Sequence, residues 1–141
     1  MPIADNIKLA VVTGGGHGIG RAICRRLSRD GCDVVVADIE EDAAVAVAGE
    51  IGGRGYGVDV GDENGFAKFI LSVEENVGPI DLFVSNAGVG FGDADSMAGS
   101  KRGGIGNAED RWAACWRVNV MAHVYAARTL IPLMVARDGG Y

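Results

Sequence analysis

The chain has 141 residues, enough for one domain with a real core, and about half of them are apolar. Its net charge of −6 argues against a nucleic-acid binder, which needs a basic stripe, and against a protein of anionic membrane surfaces. Three scattered cysteines, Cys24, Cys32 and Cys115, and two histidines form no ligand cluster, so no metal is expected, and sparse thiols suit a reducing cytoplasm. The opening MPIADNIK lacks the basic-then-apolar pattern of a leader, and no apolar run approaches membrane-spanning length.

Residues 8–13, KLAVVT, read as a buried strand running into the glycine-rich TGGGHGIG of residues 13–20. From Ile19 to about Asp30 a helix is expected, with Ile19, Ala22, Ile23 and Leu27 on its apolar face and Arg21, Arg25, Arg26 and Arg29 away from it. Gly31 ends that helix. DVVVAD at 33–38 is a second strand, and an alanine-rich helix covers 41–50. GYGVDV at 55–60 is a short third strand. Asp62 is placed to cap a helix running to about Val77, which Gly78-Pro79 ends. IDLFVS at 80–85 is a fourth strand. A long loop at 88–107 follows, then a helical segment from about Ala108 to Arg137. Trp112, Trp116, Val120, Val124 and Ala127 lie near one face of it, and Pro132 is a place for a kink or a separate turn.

Apolar strands alternating with helices predict an α/β fold: a doubly wound, Rossmann-type parallel sheet in one domain over 1–141. Its four strands take the order 3-2-1-4, and the sheet is incomplete, ending before a fifth strand.

The glycine loop lies between the first strand and the first helix, where such a sheet holds a dinucleotide pyrophosphate. Glycine permits positive φ angles and close approach of phosphate to backbone, and the helix start offers N–H groups and a positive dipole end. The spacing is Thr-Gly-xxx-Gly-x-Gly, on Thr13, Gly14, Gly18 and Gly20, rather than the GxGxxG fingerprint. Gly14, His17, Gly18, Ile19 and Gly20 are the expected pyrophosphate residues. Asp38 ends strand two, 20 positions after Gly18, where an acidic residue bonds ribose hydroxyls and repels a 2′-phosphate. That favours NAD over NADP. His17 pulls the other way, because a protonated imidazole there could meet an extra phosphate.

Together these stretches resemble the short-chain dehydrogenase/reductase family. TGGGHGIG is similar to its glycine motif, and Ser85-Asn86-Ala87-Gly88 to its Asn-Asn-Ala-Gly motif, with Ser85 in place of the first asparagine. Trp116-Arg117-Val118-Asn119-Val120 is similar to its fourth-helix segment. The resemblance implies that Asp59 and Val60 flank the adenine ring. It implies that Asn86 steadies the sheet while Ala87 and Gly88 lie against the cofactor. It makes Asn119 the catalytic-site asparagine.

The implied activity is hydride transfer between NAD(H) and an alcohol or carbonyl substrate, with a homo-oligomer as the full-length state. The tryptophan-bearing helix commonly packs on a second subunit in such proteins; alternatively both tryptophans face this chain's own core. A serine and a tyrosine with a lysine four positions on carry the family's acid–base chemistry. No Tyr-xxx-Lys occurs here, and Tyr141 reads as the opening of strand five rather than as the catalytic tyrosine. Turnover by these residues alone is therefore not expected. The other readings are a non-catalytic dinucleotide-binding module, or a fragment that associates through its open sheet edge.

Overall fold

A computed structural model describes residues 7–90 and 108–141. The described elements run β1 Leu9–Thr13, α1 Gly18–Arg29, β2 Asp33–Asp38, α2 Glu41–Ile51, β3 Arg54–Gly57, α3 Glu63–Asn76 and β4 Leu82–Val84. One long helical segment follows: α4 Ala108–Trp116, a π-helical turn Arg117–Met121, and α5 Ala122–Ala136. The expected loop at 88–107 lies largely outside the described residues, as do residues 1–6 of the opening segment.

All strand pairs are parallel, in the order β3-β2-β1-β4. Val11 sits beside Val35 on one side and Phe83 on the other, so β1 is the centre of the sheet. Alternation along β1 and β2 divides the core in two. Leu9, Val11 and Val35 meet Phe66, Ile70 and Val73 of α3 and Ala122, Ala126 and Leu130 of α5. Ala10, Val12, Val34 and Val36 meet Cys24 and Leu27 of α1 and Ala44, Val47 and Ala48 of α2. Both faces are covered, which is why these strands read as unbroken valine and alanine runs.

Four expectations need correcting. β3 ends at Gly57, not at residue 60; only the Val58 amide carries the pairing on, to the Asp38 carbonyl. Asp59 and Val60 therefore lie in the loop beyond the strand. In α1 the buried stripe is Gly20, Cys24 and Leu27, while Ile19 is 75% exposed and Ala22 also faces outward. The close approach of Gly20 to the glycine loop sets that rotation. Pro132 does not start a separate turn: the last helix passes through it to Ala136. Finally, Asp110–Ala136 is a 27-residue helical run containing an 18-residue window with a mean hydropathy of 1.3, long and apolar enough by those measures alone to cross a membrane. Here it packs along α3 through Ala122, Ala126 and Leu130.

Asp62 does stand at the N-cap of α3, although its side chain makes no capping hydrogen bond. Arg137, just past α5, grips Glu74 of α3 with two hydrogen bonds of 2.8 and 3.0 Å and donates a third to the Ile80 carbonyl. The Trp112, Trp116, Val120 and Val124 face points outward, with the two indoles 70% and 60% exposed. These tryptophans do not face this chain's core.

The outer edge of β4 is already engaged at one point. The Tyr141 N–H donates to the Asp81 carbonyl and the Phe83 N–H donates to the Tyr141 carbonyl, each at 2.8 Å. That is the pattern of a parallel neighbour aligned with Leu82.

Cys24 is buried in α1 beneath the glycine loop, and burial pushes its thiol from 9.0 up to about 11. The protonated thiol thus favours the folded state below pH 9, and that contribution is lost as pH rises through about 11. A thiol-exchange reagent at pH 8 is expected to reach half-buried Cys115 first and Cys24 only on unfolding. Mass mapping of the label checks this, and early native-state labelling of Cys24 would contradict it.

Candidate functional site

The site forms at the carboxyl ends of β1, β2 and β4. Thr13, the last residue of β1, is its hub. The Thr13 hydroxyl is buried and accepts the backbone N–H groups of Asn86 at 3.0 Å and Ala87 at 3.1 Å. The Asn86 amide donates to the Thr13 carbonyl at 3.0 Å and reaches the Gly14 carbonyl at 3.3 Å. The segment after β4 is therefore bolted to the start of the glycine loop.

That loop is packed too tightly for side chains. Gly14 holds a φ of +64°, and a Cβ there would stand 2.9 Å from the Ala87 Cα. A Cβ on Gly20 would collide with the Gly14 carbonyl oxygen. At Gly14 and Gly20 the loop is closed on itself and against Asn86, so there it has only backbone to offer a ligand, while the His17 side chain stands exposed. His17 occupies the N-cap of α1 without a capping side-chain bond, and the first turn carries no acidic residue. The Arg21 amide is bonded to the His17 carbonyl at 3.1 Å. The amides before it lie ahead of the intrahelical ladder, the arrangement that receives an anion.

On the β2 side, Asp38 is 6% exposed. One carboxylate oxygen accepts the Gly16 N–H and the other the Glu40 N–H, both at 3.0 Å. Asp59 is exposed and folds its carboxylate onto the Gly61 N–H at 2.8 Å, whereas Val60 is buried in the core. The Val60 side chain thus belongs to the α3 side of the sheet and leaves only its backbone to the loop surface.

On the far side, Asn119 lies in the π-helical turn, a feature frequent at functional positions. Its amide grips the Val89 backbone twice, accepting the N–H at 2.8 Å and donating to the carbonyl at 2.7 Å. One turn on, His123 Nδ1 contacts the Ser85 hydroxyl at 2.6 Å. The helix thereby fixes both ends of Ser85–Val89.

The structure brings Gly14, Gly20, Asn86 and Ala87 together, with Asp38 beside Gly16 and Gly88 beside Asn119, while a Cβ on Gly18 would meet nothing within 4 Å. Thr13 as hub, Glu40, Val89 and the Ser85–His123 contact were not singled out from the sequence. Thr13 was visible as the first letter of the glycine motif. The others depend on pairings across 23 to 38 positions, for which no local pattern exists.

Comparison with known proteins agrees with this geometry. The family model for short chain dehydrogenase matches residues 8–141. An uncharacterized oxidoreductase of Thermotoga maritima is 33% identical over 138 residues, covering 94% of this chain and 50% of its own length. The meso-2,3-butanediol dehydrogenase of Serratia marcescens is also 33% identical, covering 96% of this chain and 51% of its own. Among solved structures, L-sorbose reductase from Gluconobacter frateurii, complexed with NADPH and L-sorbose, superposes with a TM-score of 0.75 at 33% identity. That match covers 99% of this chain and 52% of the reductase. The chain spans about half the length of the relatives it matches. With the model match running from the first strand to Tyr141, the chain belongs to the short-chain dehydrogenase family.

Proposed function

We propose that these residues form the cofactor-holding half of an oxidoreductase that moves hydride between NAD(H) and an alcohol or carbonyl carbon. The observation that carries this reading is the closed glycine loop, bolted by Asn86 to β4 and facing the buried Asp38. Its cradle fits a dinucleotide: no Cβ is tolerated at Gly14 or Gly20, and the start of α1 is free of acid. Gly14, His17, Gly18, Ile19 and Gly20 would hold the pyrophosphate, largely through backbone. Asp38 would take the ribose hydroxyls, for which its two bonds to N–H groups hold the carboxylate in place. Asp59 and the Val60 backbone would border the adenine, and Asn86, Ala87 and Gly88 the adenosine and ribose side.

The nicotinamide, when bound, supplies the hydride chemistry. Asn119 is the catalytic-site residue assigned among these residues, and its grip on Val89 fixes the backbone next to Gly88. The serine, tyrosine and lysine of the family's acid–base step have no counterpart among them. The Trp112 and Trp116 face is read as a contact with a second copy, because paired exposed indoles are characteristic of interface cores.

Calorimetric titration with NAD and NADP tests the binding reading, and gel filtration of the same sample tests the pairing. Saturable NAD binding, weaker NADP binding and elution as a dimer are expected. Absence of saturable binding of either nucleotide would remove the cofactor assignment. A monomer at micromolar concentration would remove the pairing.

A further inference from the structure

Three successive residues of the glycine loop are held by three positions at the end of β2. The Gly15 N–H donates to the Ala37 carbonyl, the Gly16 N–H to Asp38, and His17 Nε2 meets the Glu40 carboxylate, each at 3.0 Å. The last contact joins two half-exposed side chains at the rim of the region assigned to the ribose. His17 is the only basic residue in TGGGHGIG. It is therefore the one side chain of that loop able to meet an additional phosphate as a cation. Its partner stands two residues after Asp38, and Glu41 and Asp42 follow.

We infer that Glu40 is a specificity-determining residue that disarms His17: it holds the imidazole away from a 2′-phosphate and adds a second carboxylate beside Asp38, excluding NADP. This rests on the cofactor reading given above. Asp38 alone would repel a 2′-phosphate. A protonated His17 turned inward would offset that repulsion, and the Glu40 contact prevents the turn.

The test is a pair of titrations, with NAD and with NADP, on the wild-type chain, Glu40→Ala and the double variant His17→Ala/Glu40→Ala. Circular dichroism melting checks that each is folded. In Glu40→Ala the NADP-to-NAD affinity ratio is expected to rise about tenfold, as the imidazole is released from its carboxylate partner. In the double variant most of the gain is expected to disappear. If Glu40→Ala still binds NAD and its ratio is unchanged, the role of Glu40 is overturned while the cofactor site stands. If the gain persists undiminished without His17, the hold on the imidazole is overturned. If wild type binds neither nucleotide, the cofactor reading itself fails, and this inference with it.

Discussion

Gly20→Ala is expected to destabilise the fold and Gly49→Ala to stabilise it, although both glycines lie inside helices. Helix propensity alone gives the same sign to both, about 1 kcal/mol in favour of alanine. Gly49 is exposed and a Cβ there meets nothing within 4 Å, so propensity decides. At Gly20 the added carbon would overlap the Gly14 carbonyl oxygen and approach Asn86 Nδ2 to 2.7 Å. Both obstacles are fixed, the first as backbone and the second by its bonds to Thr13 and Gly14. Overpacking of that kind costs about 1–3 kcal/mol and exceeds the propensity gain. The relief available is to move the loop, which displaces the amides assigned to the pyrophosphate. NAD affinity should therefore fall by about tenfold or more, the equivalent of about 1.4 kcal/mol. Thermal melts and NAD titration of the two variants check the pair. Equal signs in the melts would mean that the closure of the loop is wrong.

The same residues show what a sequence can and cannot disclose here. β2 was legible to the residue, because three valines between Asp33 and Asp38 have nowhere to go but a doubly covered strand. The parallel sheet followed from the alternation of elements and the strand order from the Rossmann fold type, and the sheet has both. β3 was overextended because GYGVDV keeps its apolar alternation past Gly57, while the backbone pairing that defines a strand does not. Ile19 was placed inward by spacing alone. Spacing does not register that Gly20, with no side chain, is the residue that can sit against the loop. In the last helix the tryptophan stripe is a real face. However, a helix apolar on several sides does not say which side meets its own sheet, and small Ala122 and Ala126 permit the closer approach. The glycine motif, Asp38, Asn86 and Asn119 were found from spacing and resemblance. What they bond to was not, because Thr13–Asn86 and Asn119–Val89 are tertiary pairings.

Asp38→Ala is expected to lower both stability and NAD affinity, and Asp38→Asn to separate the two effects. The carboxylate accepts the Gly16 and Glu40 N–H groups, and its removal leaves both without that acceptor in a largely buried setting. A buried donor left unpaired costs about 1–3 kcal/mol, so a loss of about 2 kcal/mol is expected in chemical denaturation of Asp38→Ala. The glycine loop is simultaneously released from β2 at its midpoint, and NAD affinity should fall about 10- to 100-fold, since displacement of positioned groups by about 1 Å carries penalties of that size. Asparagine keeps one carbonyl acceptor and the shape of the side chain but not the charge. It should recover part of the stability. Its effect on the nucleotides is asymmetric: a ribose hydroxyl can still bond to the amide, whereas the repulsion of a 2′-phosphate is gone. Asp38→Asn is therefore expected to narrow the NAD-over-NADP preference while binding NAD better than Asp38→Ala does. If Asp38→Asn leaves the preference intact, the discrimination lies elsewhere, and Asp38 serves only to tie the glycine loop to the sheet.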